Sequence, residues 1–288
     1  MDIVAQLFLN AVIAGAIYSL VALGFNLIYS TARFFDLGYG VIAIAGGYAV
    51  FFLYTTLGFN LPFSILCGIG IAGILGYGIE KVVYRPLRAR KASSMTLLIA
   101  SLGVLSVIQA IIAMLFSSQF HTLSRTASTA RVFSVAGGAI TETQVLILAA
   151  VLCIMTGLIL VMRYTRFGKA VKAISDDEEV AQIVGIDSEK IIGRVFFIGA
   201  AIAGVAGIAT GFDTGLQPTL GLSILLKGII AAVVGGLGNT YGGVAGAFLL
   251  AAIETLGAWQ FSGEWRDTIA FVVLISFLLA RPQGMFPR

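Results

Sequence analysis

The chain has 288 residues, 59% of them apolar or aromatic and 11% charged, with 35 glycines, a formal net charge of +4 and a mean hydropathy of +1.01. Soluble domains run at about 45–50% apolar and about 25% charged, so there is too little polar surface here to coat a water-soluble globule, and the chain reads as an integral membrane protein. Cys67 and Cys153 lie inside apolar runs, which excludes a disulfide framework or a CxxC metal site. The basic residues cluster between apolar stretches and do not form the single solvated face that nucleic-acid binding needs.

A helix crossing the hydrocarbon layer needs roughly 20 apolar residues. Runs of that kind fall at about 5–28, 39–57, 62–80, 95–116, 145–162, 195–212 and 267–280. A glycine-rich stretch at 221–259 is too long for one span, and the turn signal Val234-Gly235-Gly236-Leu237-Gly238-Asn239-Thr240-Tyr241-Gly242-Gly243 divides it into two helices. The expected fold is therefore all-α: a polytopic helical bundle of about eight to nine membrane segments in a single domain, 1–288. No window alternates with period two over successive segments, as a β-barrel would require.

Lysine and arginine set the orientation. Lys81, Arg85, Arg88, Arg90 and Lys91 follow the third span, and Arg163, Arg166, Lys169, Lys172, Lys190 and Arg194 flank a loop at 163–194. With Arg33, Arg281 and Arg288 they mark one side, the cytoplasm, while only Arg125, Arg131 and Arg266 fall on the other. The C-terminus is then inside and the N-terminus outside. Residues 1–32 hold no lysine or arginine, so the first run lacks the basic start of a cleavable signal peptide and is expected to stay in the mature protein. The outer loop at 117–143, with the only histidine, His121, reads as a solvated connector.

Two turns stand out as a possible internal repeat. One runs from Asn26 through Asp36, Gly38 and Gly40; the other holds Gly236, Gly238 and Asn239; each is followed by a glycine-spaced helix. Irregular backbone at membrane depth survives only where protein or a cavity satisfies it. These seven residues are therefore candidates for a translocation path, with simple hairpin turns as the alternative. Glycines recur at 70, 73, 76 and 78, at 204, 207 and 211, and at 242 and 246, spacings that allow close helix packing in lipid.

A charge at a helix centre costs about 2.5–3.5 kcal/mol on insertion scales and is normally paired. Lys227 and Glu254, on adjacent antiparallel helices, differ in height by roughly 7 Å at 1.5 Å per residue, which a lysine stem can span; an intramembrane ion pair is expected. Asp213 and Asp36 are weaker candidates for a functional charge, and Glu80, beside Lys81, reads as solvated.

The loop at 163–194 carries the most specific pattern. Ser175 with Glu178 three residues on has the form of a capping box, and Asp176, Asp177, Glu178 and Glu179 suit a helix start. Val180, Ile183 and Val184 make an apolar stripe and Gly185 a stop. A short amphipathic helix of this charge would be repelled by anionic headgroups, so docking to a protein partner is the preferred reading. There is no G-x-x-x-x-G-K-[ST] for ATP hydrolysis, no HExxH, no GxSxG and no histidine cluster for a metal.

Several stretches, taken in order, resemble the membrane permease subunits of bacterial ABC importers for branched-chain amino acids, over nearly the whole length. They are Leu23-Gly24-Phe25-Asn26-Leu27-Ile28-Tyr29 with Phe35-Asp36-Leu37-Gly38-Tyr39-Gly40, Glu80-Lys81-Val82-Val83-Tyr84-Arg85-Pro86-Leu87-Arg88, Arg163 to Ala170 through Gly185-Ile186-Asp187, and Lys227-Gly228 through Gly235-Gly236-Leu237-Gly238. The first turn departs from the family's asparagine-Phe-Ala-His-Gly-like run. The resemblance implies a multi-pass subunit of the bacterial inner membrane that binds no cofactor itself and works by alternating access. Its implied partners are a second permease, paralogous or identical, two cytoplasmic ATPases carrying ATP and Mg, and an extracytoplasmic solute-binding protein. The loop at 163–194 would be the ATPase-coupling helix. Permeases of the same kind carry urea or short amides, and a self-contained ion-coupled carrier or a membrane enzyme are the readings from other classes.

Overall fold

The computed structural model describes residues 3–123, 132–135, 137–281 and 284–286; Arg125, Arg131 and Arg288 lie outside the described residues. The expected apolar stretches are all helical. α1 (Ile3–Ala32), α2 (Gly38–Val50, continued by a π-helical turn at Phe51–Thr56), α3 (Leu61–Ile79, continued by a π-helical turn at Glu80–Tyr84), α4 (Arg85–Ala89) and α5 (Ser94–Phe116) form the first half. A β-hairpin, β1 (Val132–Val135) and β2 (Gly138–Thr141), precedes α6 (Glu142–Tyr164), α7 (Arg166–Asp176) and α8 (Glu178–Ile183). α9 (Ser188–Asp213), α10 (Leu220–Gly235), α11 (Thr240–Phe261) and α12 (Arg266–Ala280) complete the chain. Among the described residues, seven helices are long and apolar enough to cross a membrane; α10 is a shorter apolar helix and α12 has 15 residues.

α1 holds the centre. It contains no charged residue and no polar face, and a helix apolar all round is stable only when wrapped by others. In its apolar window 89% of residues are buried, against 22% in α5 and 17% in α6, which present Ile99, Met114, Leu146 and Leu152 outward as a lipid-facing surface would. Around α1 pack α9, α10 and α11.

Glycine permits the closest contacts. A Cβ on Gly207 of α9 would fall on the Ala43 carbonyl of α2, one on Gly76 of α3 on Ala200 of α9, and Gly204 packs against Ala72. Gly242 and Gly246 of α11 meet the backbone of α10 in the same way. Gly70 and Gly78, by contrast, face open space, so the small-residue stripe expected on the third span narrows to Gly73 and Gly76.

The two turns expected to correspond sit at different heights. Arg33, at φ 57°, ends α1, and its guanidinium donates to the Ser175 carbonyl, which ties this end of α1 to α7. The chain then runs inward. The Leu37 amide donates to Ser101 Oγ at 3.1 Å and Gly38 lies against Val104, which are about 10 and 15 Å along α5 from its start. Residues 33–37 are thus irregular backbone inside the bundle, satisfied by Ser101 and by Asp36, whose Oδ1 accepts from the Gly38 amide at 2.9 Å. The turn at Gly236–Asn239 is a tight hairpin at the basic end, with the Met285 amide bonded to the Val234 carbonyl and the Phe286 amide to that of Gly235. The second buried irregular segment is instead 215–218, ahead of α10. There Leu216 exchanges two backbone hydrogen bonds with His121, and Gly221 packs on Gly40.

His121 therefore belongs to a packed wall. Its ring lies 4.6 Å from that of Phe51, and Nε2 is 2.8 Å from the Phe116 carbonyl, so the part of the outer loop that holds it is not a solvated connector.

Candidate functional site

Three groups of expected residues can be placed. The first is the loop after α6. Thr165 caps α7 by accepting from the Gly168 amide at 3.1 Å, and α7 buries Val171 and Ile174 while Lys169 and Lys172 face out. Ser175 lies within α7, so it does not cap the acidic helix. That cap is Asp177, whose carboxylate accepts from the amides of Glu179 at 2.9 Å and Val180 at 3.1 Å. The reason is α7, a helix the sequence reading did not anticipate, which runs to Asp176 and so takes in Ser175. The junction of α7 and α8 presents Asp176, Asp177, Glu178 and Glu179; α8 buries Ala181, and Val180, Ile183 and Val184 are exposed, the last two at 83% and 69%. Gly185 stops it at φ 87°. Asp187 then caps α9 by accepting from the Lys190 amide at 3.1 Å. Its hydrogen bonds from Lys190, whose ammonium is 2.7 Å away, hold the carboxyl below the usual range.

The second group surrounds a cavity of about 310 Å³ at the basic end, between α1, α6, α7 and the Gly236–Asn239 turn. Asn26, Gly238 and Asn239 line it, with Ser30, Arg163 and Lys172. Asn26 is 2% exposed and stitches α1 to the turn, accepting from the Gly238 amide at 3.1 Å and donating to the Asn239 carbonyl at 3.3 Å. Gly236 sits beside this cavity, packed on Gly284. Asp36, Gly38 and Gly40 are elsewhere. Asp36 is fully buried and accepts from Tyr84 Oη at 2.6 Å, which the π-helical turn in α3 brings into position, and Gly40 packs on Gly221. In the same turn Glu80 is 2% exposed and paired with Arg88, so it is not solvated: the widened turn points it inward, and a buried carboxylate requires that partner.

The third is the intramembrane pair. Lys227 Nζ lies 3.5 Å from Glu254 Oε2, as expected, but not alone. Tyr18 Oη donates to Glu254 Oε2 at 2.8 Å, and Lys227 reaches Tyr18 Oη at 3.2 Å and Asp267 Oδ1 at 3.3 Å. Tyr18 and Asp267 escape the sequence reading. A tyrosine inside an apolar span was the available signal, since a buried hydroxyl must find a partner. Glu254 and Tyr18 also floor a second cavity, of about 240 Å³, which reaches toward Asp213, Gln144 and Arg266 at the other end of the bundle.

An apolar helical bundle with a cavity toward each end, the one above Glu254 lined by charged side chains, has the architecture of a membrane transport protein. The family model for the permease component of branched-chain amino acid transport systems matches residues 7–278. The chain is 31% identical to the permease protein BraD of a high-affinity branched-chain amino acid transport system in Pseudomonas aeruginosa, covering 98% of this chain and 95% of that one. It is 30% identical to LivH of Escherichia coli K12, a permease protein of the same kind of system, with the same coverage. In fold it is similar to PsaBC from Streptococcus pneumoniae, solved with a Fab, at a TM-score of 0.52, 14% identity, and 98% and 94% coverage. The chain belongs to the branched-chain amino acid permease family.

Proposed function

We propose that this chain is the permease subunit of an ABC importer, carrying branched-chain amino acids inward by alternating access while partner subunits hydrolyse ATP. Family membership along nearly the whole chain supports the transport role. The observation that carries the coupling is α8: a helix that leaves Val180, Ile183 and Val184 exposed beside four acids is unstable as a free surface and suited to a protein groove. The chain is then one permease domain, with 163–194 as its coupling segment.

The distribution of lysine and arginine supports a cytoplasmic basic end, with the C-terminus inside, and family membership supports the bacterial inner membrane. Of two cytoplasmic ATPases, which hold the ATP and Mg, one docks on the α8 of this chain. A second permease, identical or paralogous, completes the membrane part, and a soluble binding protein delivers solute to the far side. No catalytic step falls to this chain. The cavity at Asn26, Gly238 and Asn239 is the inner part of the path.

Glu178→Lys with Val184→Asp tests the coupling. Both residues are exposed, so the fold is untouched. The ATPase subunits should no longer co-purify, and solute-stimulated ATP hydrolysis should fall to the basal rate. Normal co-purification with normal stimulation would remove the docking role from α8.

A further inference from the structure

We infer that the cavity above Glu254 is a binding subsite for an α-amino-acid zwitterion, with Glu254 and Asp213 receiving the ammonium group and Arg266 the carboxylate. The assignment rests on the transport reading above and locates its solute within this chain.

The geometry begins with the two oxygens of Glu254. Oε2 is held by Tyr18 at 2.8 Å and by Lys227 at 3.5 Å. Oε1 is buried without any hydrogen-bond partner, on a side chain 3% exposed. A buried acceptor left open is costly unless something fills it. Tyr18 and Lys227 fix the carboxylate plane, and the side chain that carries this unpartnered oxygen lines the cavity.

Further toward the far end, Asp213 closes α9 and its Oδ1 is already steadied by Gln144 Nε2 at 3.1 Å. Arg266 opens α12 on the same cavity and, among the described residues, forms no ion pair. The cavity therefore presents both signs of charge. A simple cation would meet Arg266, and a simple anion would meet two carboxylates; a zwitterion satisfies both. Ile13 and Ala14 supply an apolar wall for a short aliphatic side chain. At about 240 Å³ the space lies below the roughly 300–1,000 Å³ of pockets for drug-sized ligands and suits a small solute. Its floor is about 21 Å along the roughly 32 Å of α11 from the basic end, so the cavity occupies the third of the bundle away from that end.

The test uses the permease assembled with its ATPases in nanodiscs, without the binding protein, and tritiated leucine at up to millimolar concentration. Competition by unlabelled leucine is compared with 3-methylbutylamine, which lacks the carboxylate, and 4-methylpentanoate, which lacks the ammonium. Wild type should bind leucine and prefer it over either analogue by about tenfold, the scale of one charged hydrogen bond. Arg266→Gln should erase the preference over the amine, and Asp213→Asn the preference over the acid. Both residues are exposed, so neither variant endangers folding. Glu254→Gln should act like Asp213→Asn, with Lys227 still paired to Asp267.

Unchanged preferences in all three variants would overturn the site, as would a wild-type complex that binds no leucine although the complete importer transports it. A complete importer that moves no amino acid at all would instead overturn the transport reading.

Discussion

Replacing Lys227 by methionine alone should sharply lower the yield and thermal stability of the folded permease, and pairing it with Glu254→Gln should recover most of both. The Glu254 side chain is 3% exposed and Lys227 lies 3.5 Å away, with Tyr18 bonded to both. Removing one partner of a buried pair strands the other charge, at a cost of about 3–5 kcal/mol, set against about 5–15 kcal/mol for a whole domain. The double variant leaves two neutral side chains, and Asp267, 64% exposed, stays solvated. The relevant readout is melting followed by size-exclusion chromatography of a fluorescent fusion in detergent. A single variant that melts with wild type would mean that the pair contributes nothing to the fold, and a double variant no better than the single would place the loss in packing.

Gly207→Val should abolish monodisperse protein in the same assay, while Gly78→Val should not. The Cβ of any residue at 207 would fall on the Ala43 carbonyl, and that obstacle is α2 backbone, which has no rotamer to change. On the neighbouring turn Gly204 meets Ala72 of α3, so α9 cannot shift from α2 without losing α3. Overpacking a core costs about 1–3 kcal/mol when side chains can give; here none can. Gly78 has nothing within 4 Å, and a valine there projects from the bundle surface. Equal yields from the two variants would contradict the close α2–α9 approach.

The contrast between these glycines marks what the sequence could and could not convey. Spacing identifies a small-residue stripe, but Gly70 and Gly78 match it as well as Gly73 and Gly76 do, and only the position of α9 separates them. Membrane segments were legible because hydropathy is a local property. Depth was not: the segment from Asn26 to Gly40 and the Gly236–Asn239 turn are each followed by a glycine-spaced helix, yet the first is bonded to Ser101 well along α5 and the second closes a hairpin beside residues 284–286. Glu80 and Lys227 show the same limit for charge. Lys227 is conspicuous because apolar residues surround it, whereas Glu80, next to Lys81, gives no sign that a π-helical turn points it at Arg88.

In the loop at 163–194 the stripe, the acids and the glycine stop were all readable, and only the cap was misplaced, because Ser175 and Asp177 are both good caps and the extent of α7 decides between them. The cavity above Glu254 was the least legible element. Asp213 could be singled out near a span end, but Tyr18, Gln144 and Arg266 come from three other helices, and their convergence is a property of the packed bundle.

Uptake of labelled leucine by proteoliposomes containing this chain, its companion permease and the ATPases tests the whole account most directly. ATP is placed on the ATPase side, binding protein on the other, and ion gradients are collapsed. Leucine accumulation that requires both ATP and the binding protein, and that disappears with Glu178→Lys and Val184→Asp, is the predicted result. Accumulation by this chain alone, driven by an ion gradient and indifferent to ATP, would contradict it.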